Sequence, residues 1–414
     1  MEQLDYDLII VGGGAVGITL ALQLQLQGYR IAIIESSALN YRLSDPERMI
    51  ALSYGSKNHL QRIGAWSHLL DNHAGRIRHI DVFDSTEGSR IALHNHDLQT
   101  NNRSFADALG YVVDMSILNQ ELHTLAQKSG IQWFTQSRVL QVDTLATHIA
   151  LQTDRNGVLQ TMTTALVVGA DGTHSAIRKM AGISTRGWDY NRFGLVCSVQ
   201  VELGHFDVAY ECFKSSGPLA LLPMGDGRYS VVWAMEPREA AIIASLSPTL
   251  FLKKLNQALG MQVIEKTGRV MDVGARFCFP LELRIAKQFV APRIALVGNA
   301  AHTIHPVAGQ GMNLGLRDVE ALANTLSVAH ASQQNPGDAT LLKTYADQRI
   351  LDTLAVAGFT EAMVQGFSFE GALASQTRQW IMDRIHGSSS LKKLLIQHAA
   401  GVAQMSSQPH SMQS

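Results

Sequence analysis

The chain has 414 residues, of which 46 % are hydrophobic and 17 % are charged, and its formal net charge is −1. This length and apolar content are typical of an ordered globular protein with two or more domains. The near-neutral charge and the lack of a basic stripe exclude general nucleic-acid binding, so no nucleic-acid partner is expected. Three separated cysteines, Cys197, Cys212 and Cys278, indicate reduced thiols rather than a disulfide framework or a metal site.

A long apolar run at residues 8–24 has the hydropathy of a membrane span or a signal peptide. Acidic residues (Glu2, Asp5 and Asp7) precede it where a signal peptide carries positive charge. Three adjacent glycines interrupt it, which suits a strand, a turn and a helix better than a spanning helix. We therefore expect a cytoplasmic protein without a transmembrane segment.

The same stretch, residues 7–17, predicts a buried parallel strand followed by a glycine-rich turn and a helix. The glycines have G-x-G-x-x-G spacing. Gly12 permits a tight turn, Gly14 lets the backbone approach a pyrophosphate, and Gly17 lets the helix pack closely against the strand. The backbone N–H groups and the dipole of the helix N-terminus favour phosphate charge, so the stretch predicts a dinucleotide site.

Glu35 narrows the choice of nucleotide. A helix at about residues 16–27 and a strand at 30–35 place this carboxylate where it meets a ribose 2′-hydroxyl. It would repel a 2′-phosphate, which favours FAD or NAD over NADP. The alternative is an ordinary surface glutamate at the end of a strand.

The remaining pattern predicts a mixed α/β protein. Short strands are expected within 78–93, followed by a helix at 115–128, strands at 131–134, 138–143, 147–153 and 159–168, antiparallel strands at 194–203, 208–214, 218–223 and 229–235, helices within 237–259, a strand at 294–297, and helices at 311–328 and 338–365. The antiparallel group has no helices between its strands, so it differs in architecture from the parallel opening.

Two further strand ends are rich in glycine. Asp171 follows the first of them, where it either caps the next helix or points at a ligand. The second begins at Gly298 and leads into a long helix. His302 and His305 are three residues apart in this second segment, but without a carboxylate or cysteine nearby in sequence, so no metal site is expected.

Together the three segments resemble the class A flavin-dependent aromatic hydroxylases. Within that group the chain is most similar to the ubiquinone-biosynthesis hydroxylases, through the segments G-N-A-A-H at 298–302, H-P-V-A-G-Q-G at 305–311, G-P-L-A-L-L-P-M at 217–224 and D-G-R at 226–228. The order and the spacing match over most of the chain. The resemblance implies a Rossmann-like FAD-binding domain of the glutathione-reductase type, with an inserted antiparallel-sheet substrate domain and C-terminal helices.

The implied domain boundaries follow from this likeness. The FAD-binding domain is expected at 1–75, 103–182 and 290–330, and the substrate domain at 76–102 and 183–289. A helical region is expected at 331–405, and a flexible tail at 406–414.

The resemblance also implies roles for single residues. Four residues would hold the ADP half of FAD: Gly12, Gly14, Gly17 and Glu35. Arg48 matches an arginine that reaches the flavin side, with a surface salt bridge as the alternative. Asp171 matches an aspartate used for both FAD and NAD(P)H. Asn299 stands where many relatives carry an aspartate that bonds the ribityl chain.

The last cofactor contacts are implied at the start of the long helix, namely Pro306, Gly311, Met312 and Asn313. That helix would begin under the flavin, and its N–H groups would face the edge that is anionic in reduced flavin. Pro306 would shape a dry cavity beside the ring. His305 is a candidate for orienting or deprotonating the substrate, and a packing role is the alternative.

The implied activity is that of an FAD-dependent monooxygenase, which uses NAD(P)H and O2 to hydroxylate a prenylated phenol in ubiquinone biosynthesis. Other ubiquinone-biosynthesis proteins are expected partners. The alternatives are a reductase or oxidase of the same superfamily that acts on another lipid, and a flavin-holding subunit without catalytic activity.

The sequence leaves two alternative roles for each of two apolar segments. Leu219, Leu221, Leu222 and Met224 either line a prenyl-phenol pocket or form ordinary core. In the C-terminal part, two groups of apolar residues share helical faces with basic residues: Trp380, Ile381, Ile385, Leu391, Leu394 and Leu395, with Arg378, Arg384, Lys392 and Lys393. Such a segment either contacts the inner face of the cell membrane peripherally or packs on the protein body or on another subunit.

Overall fold

The computed structural model describes residues 3–39, 48–84, 90–97, 106–214, 216–306 and 309–368, with 384, 387, 388, 390, 392, 393, 396, 397, 400 and 401. The tail at 406–414 lies outside the described residues. So do Arg378 and the apolar residues of the basic C-terminal segment.

Strands and helices alternate along the first part of the chain, and in the later part runs of strands and runs of helices follow one another. The strands are β1 (Tyr6–Val11), β2 (Ile31–Glu35), β3 (Met49–Ser53), β4 (Gly75–Ile77), β5 (His79–Asp84), β6 (Arg90–His94), β7 (Gly110–Asp114), β8 (Gln132–Thr135), β9 (Arg138–Thr144), β10 (Ile149–Arg155), β11 (Val158–Gly169), β12 (Thr185–Val201), β13 (Val208–Phe213), β14 (Leu219–Pro223), β15 (Tyr229–Met235), β16 (Val270–Val273), β17 (Phe277–Ala286), β18 (Val290–Ala291), β19 (Ile294–Leu296) and β20 (His302–Thr303). The helices are α1 (Ala15–Gln25), α2 (Tyr54–Arg62), α3 (His68–His73), α4 (Met115–Lys128), α5 (Ala176–Met180), α6 (Pro237–Ser245), α7 (Pro248–Leu259), α8 (Met261–Thr267), α9 (Gln310–Ala331) and α10 (Ala339–Ser368).

The first sheet is built on the opening strand. Its order is β18-β19-β11-β1-β2-β8, and the pairs from β19 to β8 are parallel. Because β1 lies inside the sheet and is covered on both faces, its apolar run Leu8–Val11 is buried throughout. The hairpin of β9 and β10 extends from β11. Helix α1 contacts both α4 and α9, which completes the main core.

The second sheet is mainly antiparallel, in the order β20-β17-β12-β15-β14-β13-β5-β6. One of its faces packs against α6, α7 and α8 in a separate core that includes Phe251 and Leu255. Its other face turns toward the rest of the molecule. A small third sheet, β3-β7-β4, lies between these parts in the chain order and contacts α9 and β14.

These sheets confirm the predicted α/β class with an antiparallel insertion, while the domain boundaries stay a prediction. One predicted helix and one predicted strand differ from expectation, and further strands, among them β3, β7, β16 and β17, were not predicted. The helical stretch at 237–259 divides into α6 and α7, because Pro248 starts a new helix. Strand β12 starts at Thr185 rather than at 194, since its exposed first half pairs with β17.

The C-terminal residues that the structure describes pack on the protein body. Ile396 and Ala400 are fully buried against β6 and Leu109, and the carbonyl of Ala400 accepts a hydrogen bond from the Gly55 N–H. Within the described part of the chain, no helix is both long enough and apolar enough to cross a bilayer.

The close packing of α1 on the glycine turn leads to a test of stability. A Cβ atom at Gly17 would lie 2.1 Å from the Gly12 carbonyl oxygen, which is backbone and has no room to move aside. We expect Gly17→Ala to lower the free energy of unfolding by roughly 1–3 kcal/mol, as overpacked sites do. Urea unfolding of the purified variants measures this change.

Gly358→Ala in α10 is the matched control, because its Cβ would meet nothing within 4 Å. The same substitution should raise stability there by about 0.5–1 kcal/mol, the usual gain of alanine over glycine inside a helix. Equal effects at the two positions would contradict the close approach at Gly17.

Candidate functional site

Four strands of the first sheet end at one edge, and each is followed by a segment singled out in the sequence. Because β1, β2, β11 and β19 are parallel, their carboxyl ends lie side by side. The N–H of Gly12 donates to the Ile34 carbonyl at 2.8 Å, and the Ala170 N–H donates to the Val11 carbonyl at 2.8 Å. The Val297 N–H donates to the Gly169 carbonyl at 3.0 Å. This edge is therefore where a dinucleotide would bind.

The three glycines of the first segment differ in their surroundings. Gly12 has φ +113°, and a Cβ there would lie 2.4 Å from the Ala170 carbonyl oxygen. Gly14 is exposed, and a Cβ there would meet nothing within 4 Å. It precedes α1, and no side chain caps that helix N-terminus. The close backbone contacts at Gly12 and Gly17 shape the turn. Gly14 instead leaves open space next to the helix N–H groups that no side chain caps, and this space suits a pyrophosphate.

Glu35 reaches this turn from the end of β2. Its Oε2 accepts a hydrogen bond from the Gly13 N–H at 2.8 Å, and its Oε1 accepts one from the Ser37 N–H at 2.8 Å. The carboxylate is half-buried beside the glycines. Oε1 also accepts a hydrogen bond from the Ser36 hydroxyl at 3.3 Å, so Oε2 is the atom that keeps capacity for a ribose hydroxyl.

Asp171 combines the two interpretations that the sequence left open. Its Oδ2 accepts hydrogen bonds from the first backbone N–H groups of α5, those of Ala176 at 2.6 Å and Ile177 at 3.2 Å. Its Oδ1 is buried and has no hydrogen-bond partner among the residues that the structure describes. Since buried polar atoms are nearly always paired, this oxygen fits a site whose ligand donates a hydrogen bond.

Buried Arg178 ties the Asp171 segment to the Gly298 segment. Its guanidinium donates to the Thr173 carbonyl at 2.7 Å and to the Ala300 carbonyl at 2.8 Å. Burial lowers its pKa, but the group is still a cation at neutral pH. Asn299, which directly precedes Ala300 in the chain, is exposed at the edge of the sheet.

Asp318 holds the same segment from the other side. Its carboxylate is fully buried and accepts hydrogen bonds from the Gly298 N–H at 2.9 Å, His302 Nε2 at 2.6 Å and Arg349 Nε at 2.7 Å. Burial alone would raise its pKa, but the charges and hydrogen bonds of His302 and Arg349 outweigh burial and lower it. Sequence reasoning missed this role. The available signal was an aspartate four residues from both Leu314 and Leu322, on the apolar face of the helix.

Helix α9 crosses the start of α1 and begins at a second part of the site. A Cβ at Gly315 would lie 3.0 Å from a Val16 methyl group and 3.2 Å from the Gly298 Cα, so the glycine permits this crossing. Gly309 precedes the helix with φ +61°. Gly311 has open space around its Cα, and Met312 is half-buried against the main core.

Asn313 connects the start of α9 to β3. Its Oδ1 accepts hydrogen bonds from the Ser53 N–H and the Ser56 hydroxyl, and its Nδ2 donates to the carbonyls of Ala51 and Gly309. All four hydrogen-bonding positions of the amide are used within the protein. Its side chain thus positions the helix start, and a cofactor contact from its backbone stays a prediction. Arg48 is exposed at the start of β3, so its role also stays a prediction.

A cavity of about 220 Å³ opens beside the first turn of α9. His305, Pro306, Gly309, Gln310 and Asn313 form one wall. The opposite wall is the free face of the second sheet, where almost all side chains are apolar. The lining of this cavity, mostly apolar with a few polar groups, is typical of a site for an apolar ligand.

The sequence left open whether Leu219, Leu221, Leu222 and Met224 line a pocket or form ordinary core, and the structure divides them between the two alternatives. Leu222 lines the cavity, but Leu219 and Leu221 point to the other face of β14 and pack against the helices of the second core. Met224 is buried beyond the end of that strand. The reason is the two-residue alternation of a strand, which places Ala220 and Leu222 on the cavity side.

His305 lies in the cavity wall, with its ring edge-on to Tyr190 at 5.0 Å. Burial lowers its pKa to about 4, so the imidazole is neutral at physiological pH. His302 is occupied by Asp318 rather than by the cavity.

Glu211 is a second site residue that the sequence analysis missed. It lines the cavity from β13, and burial raises the pKa of its carboxyl to about 7. The signal for it was an acidic residue inside the apolar strand V-A-Y-E-C-F.

Comparison with known proteins adds independent findings. The sequence model of the family described as "FAD binding domain" matches residues 5–359. Ubiquinone hydroxylase UbiL of Rhodospirillum rubrum is 34 % identical, with 97 % of this chain and 91 % of that protein covered. The 3-demethoxyubiquinol 3-hydroxylase of Escherichia coli is 31 % identical, with 87 % and 90 % covered. The solved structure of p-nitrophenol 4-monooxygenase PnpA from Pseudomonas putida shares the fold, with a TM-score of 0.77, 17 % identity and coverage of 96 % and 98 %.

The buried charges around Asp318 lead to a second test of stability. Asp318→Asn keeps the shape of the side chain but leaves the buried Arg349 with less opposing charge. We expect the free energy of unfolding to fall by about 3 kcal/mol, as for other broken buried ion pairs. Urea unfolding, with the m value as a check on two-state behaviour, measures the loss.

Asp347→Asn on α10 is the control, because Asp347 forms an exposed ion pair with Lys343. Its loss should stay below about 0.5 kcal/mol. A loss at Asp318 as small as the loss at Asp347 would contradict the bridging role of the buried carboxylate.

Proposed function

Because the chain belongs to the FAD binding domain family, and is an FAD-dependent monooxygenase of the ubiquinone-hydroxylase group, we propose that it hydroxylates a prenylated phenol. NAD(P)H and O2 are its co-substrates. The observation that carries the choice of substrate is the apolar cavity of about 220 Å³ beside Pro306. On the segments at 217–228 and 298–311, the step that it resembles most is that of 2-octaprenyl-6-methoxyphenol hydroxylase.

The residues at the sheet edge fit FAD. The open space at Gly14 and the helix N-terminus behind it suit the pyrophosphate, and Glu35 beside Gly13 suits the adenosine ribose. The unpaired Oδ1 of Asp171 suits a hydroxyl or N–H donor of the cofactor. Six further residues complete the proposed contacts: Arg48, Asn299, Pro306, Gly311, Met312 and, through its backbone, Asn313.

When bound, FAD supplies the redox chemistry that activates O2 at the expense of NAD(P)H. The protein supplies the electrostatic and apolar environment for that chemistry. The first-turn N–H groups of α9 lack acceptors within the helix and stabilise negative charge at its N-terminus. Apolar side chains exclude water from the cavity, which protects reactive species from hydrolysis and strengthens the electrostatic interactions inside.

A polyprenyl substrate resides in a membrane, which favours peripheral contact with the inner face of the cell membrane. Arg384, Lys392 and Lys393 provide basic residues in the C-terminal segment, close in sequence to the packed residues Ile396 and Ala400. Since β6 borders the cavity and also contacts Ile396, the C-terminal segment is anchored next to the substrate site. Other ubiquinone-biosynthesis proteins are further candidates for this surface.

The oxygenation itself can be tested directly. We expect the FAD-loaded protein, given NAD(P)H, isotopically labelled O2 and a prenylated 6-methoxyphenol in detergent, to transfer one labelled oxygen atom to the ring. Mass spectrometry of the product measures the label. NAD(P)H oxidation that yields peroxide without a labelled product would instead favour a reductase or oxidase. In the source organism, deletion of the gene should cause a phenolic precursor to accumulate.

Gly14→Val separates catalysis from a structural use of the flavin. Gly14 has φ −80° and ψ 176°, which valine adopts, and its Cβ has free space, so the apoprotein should keep its unfolding midpoint. The added side chain fills the space proposed for the pyrophosphate, so flavin should no longer copurify with the protein, as read by visible absorbance. If flavin is lost while quinone levels in cells stay normal, the result would support the non-catalytic alternative and contradict a monooxygenase role in this pathway.

A further inference from the structure

Glu211 occupies an unusual position in the cavity wall. Along β13, Tyr210 and Cys212 pack into the core with the helices, while Ala209, Glu211 and Phe213 face the cavity. The alternation of the strand therefore directs the Glu211 carboxyl into the space proposed for the substrate, rather than into the core or the solvent.

The neighbours of Glu211 are apolar. In the register of the sheet it lies between Val82 of β5 and Ala220 of β14, and both of these also line the cavity. Among the described residues, the Glu211 carboxyl has no hydrogen bond and no ion pair. The cavity lining of the described chain contains no lysine or arginine. Burial by itself raises the pKa of the carboxyl to about 7, so near neutrality this carboxyl is ionised in about half of the protein molecules.

The other titratable groups of the described lining do not offset this charge. Burial lowers the pKa of His305 to about 4, and it raises to about 12 the pKa of Tyr210, which borders the cavity although its ring packs on the opposite face of β13, so both are neutral at pH 7. A carboxyl in such a wall costs stability whenever it is ionised. A group that weakens the fold and pairs with nothing in it is expected to serve a ligand.

We propose that Glu211 binds the phenolic hydroxyl of the substrate and accepts its proton. This inference rests on the proposed function, since it assumes a phenol in the cavity. The phenol O–H bond breaks and an O–H bond forms on the Glu211 carboxylate. The electron pair stays on the phenol oxygen and is delocalised into the ring, so the ring carbons gain the electron density that attack on an electrophilic oxygen requires.

Glu211 suits this task better than His305, the residue suggested by the sequence. A proton acceptor works best when its pKa is near the operating pH. The imidazole, with a pKa of about 4, holds a proton poorly, whereas the Glu211 carboxyl titrates near neutrality. The assignment makes Glu211 a catalytic residue and leaves His305 as part of the wall.

Ligand binding tests the proposal without turnover. We compare the native protein, Glu211→Gln and the control Glu239→Gln, all FAD-loaded, and follow the flavin absorbance as a prenylated phenol is added. Glu239 is exposed on α6, away from the cavity. Glu211→Gln should bind the phenol roughly tenfold or more weakly, as expected for the loss of a hydrogen bond to a charged group. The control should match the native protein.

The methyl ether of the same phenol provides the sharper comparison, because it has no hydroxyl proton to donate. The native protein and Glu211→Gln should bind the ether about equally. Affinity of the native protein for the phenol should fall as the pH drops below about 7, and this dependence should vanish in Glu211→Gln. Equal losses for phenol and ether, or an unchanged pH dependence in the variant, would overturn the proposal.

Thermal stability without substrate gives a readout independent of the phenol. The folded-state pKa of about 7 lies above the ordinary value of 4.5, so ionisation of Glu211 costs stability as the pH rises between these values. The melting temperature of Glu211→Gln should therefore rise relative to the native protein across this interval and stay higher above it. A constant difference would show that the carboxyl does not lie in the apolar wall, and would also overturn the proposal.

The two proposals fail in different ways. If the native protein hydroxylates the phenol while Glu211→Gln binds it as tightly, the proposal for Glu211 falls and the proposed function stands. If the native protein neither binds nor hydroxylates any prenylated phenol, both fall.

Discussion

The buried carboxylate of Asp318 joins parts of the molecule that are far apart in the chain. It bonds the backbone at Gly298, the imidazole of His302 and the guanidinium of Arg349, so α9, α10 and the loop after β19 are held at one point. Tyr345 on α10 adds a hydrogen bond to the Leu296 carbonyl. In a low-dielectric interior these bonds are strong, and each partner would be costly to leave unpaired. The loop is thereby set against the glycine turn, and the two segments share one sheet edge.

The start of α9 gives this constraint its functional meaning. The helix is anchored by Asp318 in its interior, by Asn313 at its first turn, and by the close crossing at Gly315. Its N-terminus therefore lies between the sheet edge, where we propose that FAD binds, and the apolar cavity, where we propose that the phenol binds. One rigid element connects the proposed cofactor site to the proposed substrate site, which is the arrangement that oxygen transfer between them requires.

The second sheet separates structural from functional residues by the period of its strands. Leu219 and Leu221 on one face of β14 stabilise the helical core, while Ala220 and Leu222 on the other face shape the cavity. The same alternation places Glu211 among apolar neighbours. A composition-based interpretation of the segment 217–224 could not make this division, because it treats both faces of the strand alike. The register with β13 and β15 decides which leucines face the cavity.

The sequence by itself determined the α/β class, the order of most elements, the glycine turn with Glu35, and the likeness to flavin-dependent hydroxylases. These features depend on local pattern: apolar periodicity, glycine spacing and motifs that are continuous in the chain. Tertiary structure alone decided that the Oδ1 of Asp171 has no partner among the described residues, that the Asn313 amide forms all its hydrogen bonds within the protein, and that Asp318 and Arg349, 31 residues apart, form a hydrogen bond. It also decided that Glu211 faces a cavity. The physical reason is that burial, charge pairing and the resulting pKa shifts depend on which distant segments surround a group, and no local pattern contains that information.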